Sequence, residues 1–160
     1  MPRTTPPKSS TKLVKTTQFT PHGVVDIWME GRLMHYEATG PFNVELVECL
    51  AIAQRDYLLA SRPNGAWVSV CTVRRNAMAS PDSIARYAAI MAAPKPDNMV
   101  PCATAFVIAP EVEGGTIMTP HFTKIYDDIG RPFAVFDNLT AAQIWANGWL
   151  SRCDGTGHRA

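Results

Sequence analysis

The chain predicts an α/β domain built on a single mixed, mainly parallel sheet with an N-terminal β-hairpin and about four helices, in the order β-β-α-β-α-β-α-β-α. Three observations carry this reading. Val24-Val25-Asp26-Ile27-Trp28-Met29 and Leu33-Met34-His35-Tyr36-Glu37-Ala38 flank the turn signal Glu30-Gly31-Arg32 and read as an antiparallel hairpin. Beyond the hairpin, short apolar runs alternate with amphipathic stretches of about a dozen residues, the length a right-handed parallel crossover needs. The stretch from Phe133 to Leu150 then reads as a closing strand, a polar turn and a final helix.

Each element has a local cause. Gly40 and Pro41 break the second strand, and Asn43 is placed to cap a helix that runs to about Ala60, with Glu45 and Glu48 favouring its positive end. Val44, Val47, Ala51 and Leu58 carry its apolar side, and Pro63-Asn64-Gly65 ends it. Ala66 to Cys71 is apolar enough for the interior of a sheet. Ser80-Pro81-Asp82-Ser83 is a strong helix start, with Ser80 as cap and proline in the first position, and Ile84, Tyr87, Ala88 and Met91 give the buried side. Ala103 to Ala109 is the clearest buried strand. Residues from about Thr116 to Asp128 form a third helix with Pro120 in its first turn. In the last helix Thr140 and Gln143 have the spacing of a capping box, and Ile144, Trp145, Trp149 and Leu150 form the expected apolar face.

Composition narrows the class. The 160 residues suit one domain, and hydrophobic and charged fractions of 46% and 18% are those of a globular protein. A net charge of +1 gives no polyanion-binding signature. Arg3, Lys8, Lys12 and Lys15 concentrate base before residue 18, among prolines, serines and threonines, with too little apolar content to order the segment. Residues 1–21 are therefore expected as a disordered basic leader, 22–152 as the folded domain, and 153–160 as a flexible tail. The leader lacks aromatic stacking partners, so no nucleic acid is expected. No secretory signal or membrane span is evident. Cys49, Cys71, Cys102 and Cys153 form no Cys-x-x-Cys pair, which removes zinc-ribbon and thioredoxin readings. A metal or cofactor is not expected, and a cytoplasmic location is.

The hairpin followed by the Asn43 helix, the Trp67–Cys71 strand, and the ending Val135-Phe136-Asp137 with Ala142 and Trp145 carry a family likeness. Over residues 22–150 the chain resembles the STAS superfamily, and within it the bacterial SpoIIAA-like (STAS/SEC14-type) proteins. The resemblance implies a noncatalytic regulatory module that binds a ligand or a protein. In phosphorylatable members, an Asp-Ser-Ser-Gly-type motif opens the helix after the third strand. Here Ala79-Ser80-Pro81-Asp82-Ser83-Ile84 holds that place, without the leading Asp, the serine pair or the glycine.

Chemistry is sparse. There is no phosphate-binding loop, and no Gly-x-Ser-x-Gly elbow. His121, with Tyr126, Asp127 and Asp128 nearby in sequence, is the candidate catalytic base of the alternative reading, a small enzyme of unknown substrate. Because ligands of parallel sheets gather beyond the carboxyl ends of the strands, the expected binding rim comprises Thr72, Arg74, Arg75, Ser80, Ser83 and Asp137, with the loop from Pro110 to Gly115 free to approach a ligand. The expected partner is a protein or a small anionic or apolar ligand, and pairing into a homodimer is open to such a domain.

Overall fold

The computed structural model describes residues 6–15 and 19–157, with side chains as far as residue 154. It is an α/β fold on one six-stranded sheet. The strands are β1 (Ser9–Ser10), β2 (Val24–Glu30), β3 (Leu33–Thr39), β4 (Val68–Arg74), β5 (Ala103–Ile108) and β6 (Phe133–Phe136), and they lie side by side in chain order. The first three pair antiparallel, and β3 to β6 are parallel. The helices are α1 (Val44–Ser61), α2 (Pro81–Ala92), α3 (Gly115–Asp128) and α4 (Leu139–Gly157). Among the described residues no helix is long and apolar enough to cross a membrane.

Chain-order stacking has a strong consequence. Each right-handed crossover adds its strand in the same direction, so α1, α2 and α3 all fall on one face of the sheet. Their core contains Val25, Met34, Tyr36, Leu46, Val73, Phe106 and Phe122. Helix α4 follows the last strand, is bound by no crossover, and folds onto the opposite face over Val68, Val70, Ala103, Ala105 and Val107.

Several local expectations are met. Asn43 caps α1 by accepting from the Leu46 N–H at 3.0 Å, and it accepts a second bond from the His22 N–H at 2.8 Å. Ser80 caps α2 by accepting from the Ser83 N–H at 3.3 Å. Others are not. Helix α4 is capped by Asn138, whose side-chain oxygen accepts the Ala141 N–H at 2.9 Å, rather than by a Thr140–Gln143 box. An amide carbonyl just ahead of Leu139 reaches the third helical N–H, so the helix begins two residues earlier. Its inward face is Ala142, Ala146 and Leu150, whereas Ile144 is 70% exposed. Pro120 lies in the second turn of α3, not the first.

Parts of both ends are ordered where a leader and tail were expected. Ser9 and Ser10 pair with Ile27 and Asp26, and buried Thr11 accepts the Val25 N–H at 3.0 Å. A hydroxyl thus satisfies a backbone donor that a two-residue edge strand leaves open. At the other end α4 runs to Gly157, held by Arg32, which grips Asp154 through two bonds at 2.6 and 2.8 Å. The Cys102 thiol, pushed up to about 12 by burial and by its hydrogen bond to Cys153, lies at the same junction. Arg3 and the remainder of residues 1–5, 16–18 and 158–160 lie outside the described residues.

Candidate functional site

Along most of the carboxyl rim the crossovers leave on one face, as chain order requires, and only between β5 and β6 do the following helices, α3 and α4, depart to opposite faces. Elsewhere loops knit the rim together. Phe42 bridges Ala79 and Asn76 bridges Glu113, while the Phe42 N–H donates to the Met78 carbonyl at 2.9 Å and the Ala77 N–H to Glu113 at 2.8 Å. Gly40 passes so close to Asn76 that a Cβ would stand 2.1 Å from its carbonyl oxygen. Gly114 takes a left-handed φ of 75° and packs against the Met78 sulfur, so its close approach is to the protein's own loop.

The residues expected along that rim are scattered in role. Arg74 pairs with Glu37 on β3 at 3.2 Å. Arg75 is exposed and takes a left-handed conformation, φ 67°. Thr72 is half-buried within β4, and exposed Asp137 accepts from the neighbouring Asn138 amide at 2.8 Å. Ser80 and Ser83 do meet, with hydroxyls 2.7 Å apart, but Ser83 is 1% exposed and turned inward, its hydroxyl 3.4 Å from the Phe42 carbonyl. A kinase could reach Ser83 only if the start of α2 came undone. His121 is exposed and makes no hydrogen bond or ion pair among the described residues, so no nucleophile or orienting carboxylate is built around it. Among those residues no group of three metal-ligating side chains converges.

What the fold does build is a chamber of about 100 Å³ between the sheet and the helices α1 and α2. Its floor comes from two rows across the strands. Tyr36, Cys71 and Phe106 are register partners on β3, β4 and β5, and so are Ser69 and Thr104 on β4 and β5. The central positions, Cys71 and Ser69, are small, while Tyr36 and Phe106 stand tall beside Cys71. Above them α2 offers Ile84, Tyr87 and Met91, yet only Ser83 and Met91 of this helix are buried. Helix α2 leans on α1, to which Arg86 ties it through Glu48, and on α3, where the Tyr87 and Tyr126 hydroxyls meet at 2.5 Å. These props hold the helix above a floor of small side chains, and the space remains.

Cys71 shows the chamber most plainly. It sits in the interior strand of the sheet, beneath a helix, and its thiol is pushed up to about 12 by burial, yet part of its surface stays uncovered. That surface faces the chamber. Burial likewise raises Tyr87 to about 12 and holds Tyr36 and Tyr126 well above 10, so all three phenols are neutral donors. Polar groups in the walls are mostly spoken for. Ser69 and Thr104 pair at 2.7 Å, Tyr36 donates to Gln54 at 2.9 Å, and Trp67 donates to the Asn98 carbonyl at 2.9 Å. At one end stand two cations, Lys95 and Arg131.

The walls around the chamber of about 100 Å³ lack packing partners on one side, and an apolar group of matching size supplies those contacts on entering. The sequence does carry a trace of the site: small polar residues at alternate positions of an otherwise apolar interior strand, Ser69 and Cys71 between Val68, Val70 and Val73. Lys95 and Arg131 gave no such signal, since each lies in a proline-bearing connection. Compared with known proteins, the chain matches no family model, no curated protein and no solved structure.

Proposed function

We propose that the chain is a noncatalytic ligand-binding module, of the SpoIIAA-like STAS kind its sequence resembles, which takes a small apolar molecule into the chamber beneath α2. One observation carries the reading: a chamber walled by aromatic and aliphatic side chains, with few polar groups, under a helix propped off the sheet. Pockets of this make-up suit apolar ligands, with sparse polar groups fixing orientation. Helix α2 is the element best placed to report occupancy to a partner, because its outer face is exposed and its inner face borders the chamber.

The test is a titration with benzene, followed through the methyl NMR signals of Val73, Ile84 and Met91. Saturable shifts confined to those residues are expected, and Cys71→Leu, which fills the floor, should abolish them. Shifts that never saturate, or that appear equally at exposed Leu59 and Ile117, would overturn the reading.

A further inference from the structure

The two cations at the end of the chamber differ from those of the fold that are tied into ion pairs. Arg32, Arg74, Arg86 and Lys124 each meet a carboxylate. No carboxylate among the described residues lies within ion-pair reach of Arg131 or Lys95. The guanidinium of Arg131 lies over the Tyr126 ring, 5.6 Å from its centre, and its one side-chain contact beyond that is a weak one, 4.0 Å from the Met91 sulfur. A half-buried guanidinium with a fork of uncommitted N–H donors is built to take a planar anion through two parallel bonds.

Lys95 plays a different part. Its ammonium donates to the carbonyls of Ile90, Met91 and Ala93 at the end of α2, so its donors are occupied while its charge stays at the chamber wall. Burial lowers its pKa, and the neighbouring Arg131 lowers it further, as expected of two like charges side by side. An anion between them would relieve that repulsion.

Resting on the ligand-binding reading above, we infer that the chamber's ligand is a short amphiphile, an apolar body ending in a carboxylate that Arg131 grips while Lys95 adds its charge. The body is short because the space is. A cavity of about 150 Å³ admits the six carbons of benzene with room to spare, so about 100 Å³ suits a chain of about four carbons. Tyr87 and Tyr126 add a selective touch. Only one of their two hydroxyl hydrogens is used in the bond between them, which leaves the other free to donate to the same head group.

The experiment compares three four-carbon probes that differ only at the head, butanoate, butan-1-ol and butylamine, by NMR titration at pH 7 and low salt. Butanoate should bind about tenfold more tightly than butan-1-ol, the gain of one charge-assisted bidentate contact, and butylamine should bind most weakly. Arg131→Gln should bring butanoate down to the level of butan-1-ol while leaving butan-1-ol unchanged, which also shows that the variant is folded. Arg131→Lys, keeping charge without the fork, should fall between. If butan-1-ol binds as tightly as butanoate, or if Arg131→Gln weakens both equally, the carboxylate is wrong and the apolar chamber stands. If none of the three binds, the chamber reading falls with it.

Discussion

The two faces of this sheet solve the same packing problem in opposite ways. On the α4 face, alanine meets alanine: Ala142 and Ala146 of the helix sit on Ala103 and Ala105 of β5, all four fully buried. Side chains without length let backbone approach backbone, and no space is left. On the other face Tyr36, Phe106, Phe122 and Tyr126 give rigid aromatic walls, with small Ser69 and Cys71 between them and a helix that cannot descend. Large rings packed edge-to-face, as Phe106 is against Phe122 and Phe133, hold their positions and cannot flow into a gap. The tight face supplies stability; the loose face spends some of it on a binding space.

Added volume is the sharpest way to break that comparison. On the tight face, Ala105→Leu should destabilise by about 3 kcal/mol, because no rotamer fits between β5 and α4, and urea denaturation would show it. A smaller loss, about 1 to 2 kcal/mol, is expected for Ser69→Ala, which leaves the Thr104 hydroxyl buried without its 2.7 Å partner. On the loose face the sign should reverse. Cys71→Leu should raise stability by about 1 kcal/mol in the same assay while abolishing benzene binding, since filling the void trades function for packing.

The smallest effect concerns His35, which stacks on Trp28 with ring centres 5.3 Å apart, beyond the reach of α4. Its Nε2 is buried with no hydrogen-bond partner, and Glu30 stands 3.7 Å away. Burial lowers its pKa below the usual 6.5, outweighing the opposing pull of Glu30. The unfolded chain therefore takes up the proton first as pH falls. The stability tied to His35 is complete above pH 6.5 and is lost between there and its own lower value. His35→Phe, which keeps the stack, should flatten the pH dependence of the melting temperature in that window.

Much of the architecture was legible because it rests on local signals. The hairpin, the alternation of strands and helices, and the caps at Asn43 and Ser80 each depend on neighbours within a few residues. The chamber does not. It arises where Tyr36, Cys71 and Phe106 fall into one row, a register fixed by pairing between strands more than thirty residues apart. Arg131 and Lys95 come together only because two connections end at the same place. The rim at Thr72, Arg74, Arg75 and Asp137 follows from a rule about connections that leave on opposite faces, which this sheet meets only between β5 and β6, beside Asp137. Of the apolar face expected for α4, Leu150 is buried and Trp145 and Trp149 pack partly buried against the core, whereas Ile144 faces out; Ala142 and Ala146, which lie against the sheet, are too small to signal burial in the sequence.

The most direct test of the account is a crystal of the protein pressurised with xenon, which enters apolar cavities and ignores packed cores. A xenon atom between Cys71, Ile84 and Phe106, with none on the α4 face, is the expected result. A crystal in which α2 rests directly on Ser69 and Cys71, with no xenon beneath it, would contradict the account.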